Sequence, residues 1–148
     1  VKPPLRDEED RIAVVEAVAS GLIDIICSMH TPQDEESKRL PFEEAASGAV
    51  GLETLLPAAL RLVHAEMMAL PTLWRALSLN PAQRLGLPGG RIAVGAPADL
   101  VLFNPDAPFV LDRSTLRSKS RNTPFDGMRM QGKVVATYVA GSCVYEAN

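Results

Sequence analysis

The 148-residue chain has only two cysteines, one tryptophan and 5% aromatic residues. Cys27 and Cys143 stand far apart and cannot build a disulfide framework, so a reducing cytoplasm is the simpler expected home. No apolar run approaches the roughly 20 residues that cross a bilayer. Excess positive charge is missing too. The net charge is -3 and the isoelectric point about 5.4, which argues against a broadly basic nucleic-acid surface. No basic flank followed by an apolar core marks a secretory signal, and there is neither an internal repeat nor a low-complexity tract. The phosphate-binding spacings G-x-G-x-x-G and G-x-x-x-x-G-K are absent, as are a G-x-S-x-G elbow and an H-E-x-x-H helix.

What is present is an ordinary globular composition, 47% hydrophobic and 22% charged. Twelve prolines and ten glycines divide it into short elements. The chain opens Val1-Lys2-Pro3-Pro4 without an initiator methionine, as a piece of something longer or a processed chain would.

Asp7 reads as a helix N-cap, with Glu8, Glu9 and Asp10 at the positive end of the dipole. Ile12, Val15 and Ala19 recur at helical spacing, widened by Val14 and Val18, and Gly21 is the stop. Leu22 to Cys27 is short, apolar and rich in β-branched residues, which predicts a buried strand of the parallel type. In α/β barrels the chemistry sits at the C-terminal end of such a strand. That end is Ser28-Met29-His30, and His30 is the sharpest candidate for a site residue. The polar stretch Thr31 to Arg39 predicts an exposed loop. Leu52, Leu55, Leu56, Ala59, Leu60 and Val63 predict a helix, Pro71 opens another, and Asn80-Pro81 reads as a cap and first turn of a third, ending at Gly86. After Gly89-Gly90 the pattern turns to strands: Ala98 to Phe103, Lys133 to Val139 and Ser142 to Tyr145. The last two are joined at Ala140-Gly141 as a hairpin.

Cys27 and His30 are spaced C-x-x-H, but alternation along a strand sends them to opposite faces and no second ligand pair lies nearby. His64 falls among helix residues. Ser47, Gly48 and Gly51 could bring backbone amides close to a ligand. Arg117, Lys119 and Arg121 read as a solvated basic cluster.

Several segments together resemble the C-terminal part of the dihydroorotase family, within the amidohydrolase superfamily. They are Pro3-Pro4-Leu5-Arg6, Ile23-Asp24-Ile25-Ile26 with Ser28-Met29-His30-Thr31-Pro32, Lys38 to Ala45, Gly48 to Thr54, Asn80-Pro81-Ala82 and Gly95 to Val101. The resemblance covers nearly the whole chain in order. It implies an α/β fold: the last units of a (β/α)8 amidohydrolase barrel over residues 1–88, and a β-sandwich segment over 89–148. It implies a metal-dependent hydrolase that interconverts carbamoyl-aspartate and dihydroorotate in pyrimidine biosynthesis. In that family zinc makes hydroxide available near neutral pH, and an aspartate at the end of barrel strand eight binds metal and moves the proton.

Met29 stands where that aspartate would be, within the family's T-D-H-A-P stretch. Gln33 replaces a substrate-binding histidine, Lys2 an asparagine and Thr31 an alanine. The resemblance makes His30, Gln33, Ser47 and Gly48 the substrate-binding candidates. It places the metal ligands upstream, so zinc belongs to the parent chain and neither metal nor turnover is expected of this segment alone. Its partners are then the small-molecule substrate and the rest of the barrel chain, with no nucleic acid and no membrane. The main reading is a fragment of a divergent dihydroorotase. The alternative is a catalytically inactive scaffold supporting an aspartate transcarbamoylase partner. An allantoinase or hydantoinase is a third reading, and the stretch from Lys38 to Thr54 favours dihydroorotase over both.

Overall fold

The computed structural model describes residues 1–147. Helix α1, Glu8–Ala19, starts where Asp7 accepts from the Asp10 amide and stops at Ser20, followed by Gly21 at φ +80°. Only Val15 and Val18 of its apolar stripe are buried; Ile12 and Val14 face outward. The predicted exposed loop contains one short turn of helix, α2, Glu35–Lys38, capped by Asp34. Helix α3, Leu55–His64, buries Pro57, Ala59 and Leu60.

The segment Leu70–Arg84 departs from the expected pair of separate helices. Helix α4, Leu70–Trp74, runs through a π turn, Arg75–Leu79, directly into α5, Asn80–Arg84. Asn80 is therefore no N-cap. Proline has no amide hydrogen, and inside a helix its ring clashes with the carbonyl four residues back. A widened turn just before Pro81 accommodates it, with the Asn80 amide bonding to the Arg75 carbonyl five residues away. Inside that turn the Ala76 carbonyl accepts from the Ile26 amide at 3.0 Å, and the Asn80 side chain donates to the Asp24 carbonyl at 2.9 Å. The π turn thus anchors the segment leading to Ser28.

That segment is not the expected strand. Residues Leu22 to Cys27 form no ladder among the described residues; Leu22 is exposed and Ile26 is partly buried against the helical core. A parallel strand needs neighbours on both sides. The single parallel bridge here is one residue long, between His30 and Ala49.

Three antiparallel strands form the sheet in the order β1-β2-β3: Leu100–Val110, Arg129–Val139 and Ser142–Glu146. Strand β1 runs past the expected end at Phe103, through Pro105 and Pro108. It can do so because it lies at an edge, with irregular pairing between Asn104 and Pro108. The β2-β3 turn is Ala140-Gly141 at φ +49° and +81°, which matches the twist of the flanking strands.

Helix α3 packs on β2, where Gly132 leaves room for Leu60; a Cβ there would overlap Leu60 Cδ1. Val18, Leu60, Met68, Leu73 and Ala76 form one core, sealed by Phe103 from the sheet. Phe103 stacks on Trp74 with ring centres 4.9 Å apart. A second core joins Val50 to Leu111, Leu116 and Met130.

Candidate functional site

The site is built from two short backbone segments, 28–33 and 47–51, and a third that wedges against both, 120–122. Met29 occupies the left-handed region at φ +45° and is 48% exposed. A long side chain costs about 1–2 kcal/mol there, whereas asparagine and aspartate visit it more readily. Hydroxyls on either side hold the conformation. The His30 amide donates to Ser28 Oγ at 3.3 Å, and Thr31 Oγ1 donates to the Met29 carbonyl at 2.9 Å.

His30 turns its ring back onto the second segment. Its Nδ1 accepts from the Gly51 amide at 3.1 Å and from the Leu52 amide at 3.4 Å. An accepting Nδ1 carries no hydrogen, so the neutral ring holds its proton on Nε2 and offers a donor there. The Thr31 amide bonds to the Ala49 carbonyl at 2.9 Å.

Glycine is required where these segments touch. Gly48 is buried at φ +145°, and a Cβ there would lie 2.5 Å from the Thr31 carbonyl oxygen. At Gly51 a Cβ would collide with the Ser28 carbonyl oxygen. The two glycines let one backbone lie directly on the other.

Gln33 is bonded on three sides. Its side-chain amide donates to the Ser47 carbonyl at 3.4 Å, its backbone amide to Asn122 Oδ1 at 3.3 Å, and its carbonyl accepts from Ser120 Oγ. Asn122 Nδ2 donates to the Gly48 carbonyl at 2.9 Å, and the Asn122 carbonyl accepts from the Val50 amide at 2.9 Å. Lys38 Nζ reaches the Ala46 carbonyl at 2.7 Å. Beside Gln33 opens a cavity of about 820 Å³ rimmed by Lys38, Arg113, Lys119, Arg121 and Asn122.

The structure therefore brings His30, Gln33, Ser47 and Gly48 together, with Met29 at the apex of the first turn. It leaves His64 apart, on α3, 3.5 Å from Asp106. Ser120 and Asn122 lie in the long connection between β1 and β2, where they are the short polar residues alternating with Lys119 and Arg121 ahead of Thr123-Pro124. The basic cluster is not simply solvated. Arg121 donates to the carbonyls of Arg113, Ser114 and Leu116, and Arg117 lies 5.0 Å from the Tyr145 ring centre. Glu53 accepts from the Arg117 and Ser118 amides at 2.9 and 3.1 Å, pinning the same loop to the start of α3.

Two carboxylates near the site are held below the usual range. The Ser37 amide at its helix cap lowers Asp34, and Ser114 lowers Asp112.

The donor set does not suit a zinc ion. Met29 offers a thioether, the His30 Nδ1 is taken by two amides, and among the described residues no three His, Cys, Asp or Glu side chains converge.

The chain is α/β, with a three-stranded antiparallel sheet and a polar site built from loops. The pattern of the amidohydrolase family matches residues 2–144, and the chain belongs to that family. More particularly, it is 44% identical over 145 residues to a dihydroorotase of Wolbachia sp. subsp. Drosophila simulans. It is 43% identical over 146 residues to a dihydroorotase of Desulforapulum autotrophicum. These matches cover 98% and 99% of the chain, which spans 33% and 34% of those relatives. Among solved structures, the L-hydantoinase (dihydropyrimidinase) of Arthrobacter aurescens superposes with a TM-score of 0.92 at 36% identity. That match covers 99% of this chain and 34% of the hydantoinase. The dihydropyrimidinase of Brevibacillus agri gives 0.91 at 26%, over 98% of this chain and 33% of that one. Among the described residues no helix is long and apolar enough to cross a membrane.

Proposed function

We propose that the chain is the C-terminal third of a dihydroorotase, a cytoplasmic cyclic amidohydrolase that interconverts dihydroorotate and carbamoyl-aspartate in pyrimidine synthesis. Residues 1–88 supply the last α/β units of a (β/α)8 barrel and residues 89–148 a β-sandwich segment. The observation that carries this reading is the end-to-end match to dihydroorotases at 43–44% identity, set against 36% for the hydantoinase. The unpaired segment Leu22 to Cys27, with Leu22 81% exposed, supports it as well: barrel strands upstream would supply the neighbours it lacks.

In this reading the chain binds and orients substrate and leaves bond-breaking to groups outside it. Zinc, bound by upstream residues, would supply activated hydroxide. His30 donates from Nε2, and Gln33, Ser47 and Gly48 set the backbone against which a planar cyclic amide lies. Met29 occupies the place of the family's proton-carrying aspartate, and a thioether takes up no proton there. A divergent enzyme supplies that proton path from another residue.

The scaffold reading, a partner that supports an aspartate transcarbamoylase without turnover, rests on Met29 together with Gln33. Assay of the full-length protein for dihydroorotate hydrolysis, with its zinc content measured, separates the two. Turnover establishes the enzyme. A folded, zinc-loaded protein without turnover leaves the scaffold, and restoring M29D then asks whether that one position accounts for the loss.

A further inference from the structure

We infer that Asn122 is the positioning residue of the substrate-facing loops, acting from the β half of the chain on a site built in the helical half. The inference rests on the proposed reading of 28–33 and 47–51 as those loops.

The two loops touch each other through the His30–Ala49 bridge, through the His30 ring, and through a 3.4 Å bond from the Gln33 side chain to the Ser47 carbonyl. At the far ends, where the family resemblance places substrate, these ties are long: 3.4 Å from the Gln33 side chain to Ser47 and 3.5 Å from Lys38 Nζ to the Gly48 carbonyl. Asn122 joins those ends. Its Oδ1 takes the Gln33 amide, its Nδ2 holds the Gly48 carbonyl, and its own carbonyl takes the Val50 amide. Ser120 completes the wedge by donating to the Gln33 carbonyl and lying against Asn122 Oδ1. Asn122 itself is held in place because its loop is stapled by Arg121 on three carbonyls and by Glu53 on two amides.

The choice of side chain follows. The position needs an acceptor toward one loop and a donor toward the other, in one planar group of this length. Asparagine supplies both. Aspartate keeps the acceptor but turns a carboxylate oxygen toward the Gly48 carbonyl. Alanine removes both. Because Gly48 sits at φ +145°, open only to glycine at ease, its peptide orientation depends on outside bonds. Released from Asn122, the Gly48 peptide rotates and Gln33 loses its register with Ser47.

The test uses the full-length protein with N122A and N122D, and reads three quantities: dihydroorotate affinity by calorimetry, the split between KM and kcat, and amide exchange at Gln33. We expect N122A to weaken affinity and raise KM about tenfold while kcat stays within about threefold, the signature of lost uniform binding. The Gln33 amide exchanges faster in N122A and keeps its protection in N122D, yet N122D weakens affinity as much. A purely structural residue would lower the thermal midpoint without that split. Should N122A fail to fold, N122D, which keeps the bonds to Gln33 and Ser120, decides alone. Unchanged affinity in a folded variant overturns the inference and leaves the enzyme reading standing. Weakened affinity in a protein that never turns over supports the inference and removes the enzyme reading. Failure of the unsubstituted protein to bind dihydroorotate removes both.

Discussion

Met29 stands at the apex of the first site turn, and its backbone is as telling as its side chain. A methionine at φ +45° is held against its preference by the hydroxyls of Ser28 and Thr31. The turn is shaped for glycine or a short polar residue such as asparagine or aspartate. Replacing Met29 by glycine should stabilise the full-length protein by roughly 1 kcal/mol, read from urea denaturation, because relief of the left-handed conformation outweighs the added chain entropy. The same measurement on G48A should show a loss of about 1–3 kcal/mol, since backbone rather than a flexible side chain blocks the new Cβ. An unchanged midpoint for G48A would mean that the loop can retreat from Thr31, and the close stacking of the two segments would not be required.

Among the elements, the sheet and the helices are coupled by α3 packed on β2 and, at the far edge, by one aromatic stack. Trp74 precedes the π turn and Phe103 sits on edge strand β1, so their contact ties the helix that anchors residues 24–26 to the β half. A double-mutant cycle with W74L and F103L should return a coupling of about 0.5–1.5 kcal/mol, measured by chemical denaturation. Additive losses would show that the Trp74–Phe103 stack contributes no coupling of its own. The short turns behave differently, because charge holds them. Asp34 and Asp112 both have folded pKa values below their ordinary ones, so each contributes stability that is present above the unfolded value. That contribution is lost as pH falls through the lower folded value. On acidification the Ser37 and Ser114 amides should lose exchange protection only below the usual carboxylate range. Early loss, at mildly acidic pH, would contradict the capping role.

Over the whole molecule, exposed apolar side chains outnumber what a small folded chain normally shows. Phe42, Ile92 and Val94 are more than nine-tenths exposed, and Leu5, Leu22 and Leu85 are largely so. Apolar side chains this exposed favour association. The chain expressed by itself should therefore sediment as oligomers or aggregates, and co-expression with the upstream two-thirds of a dihydroorotase should return it to solution as a defined complex. A stable monomer at micromolar concentration would count against the barrel-fragment reading.

Much of the molecule was legible from local chemistry alone. The Asp7 cap, the Gly21 stop and the Ala140-Gly141 hairpin each depend on a few adjacent residues and are found where the sequence places them, as is the stripe predicted from Leu52 to Val63 except at Leu52, which precedes the helix and is exposed. The order of motifs likewise pointed to the amidohydrolase family, and His30, Gln33, Ser47 and Gly48 do meet. Tertiary structure decided the rest. A run such as Leu22 to Cys27 has strand composition, but a ladder is made between strands, and no neighbour is supplied among the described residues. Pro81 looked like a helix start because sequence cannot show that a π turn will absorb it. Asn122 was invisible because its meaning lies in bonds to Gln33 and Gly48, 89 and 74 positions away, and a hydrogen bond across that separation leaves no periodic trace in the chain.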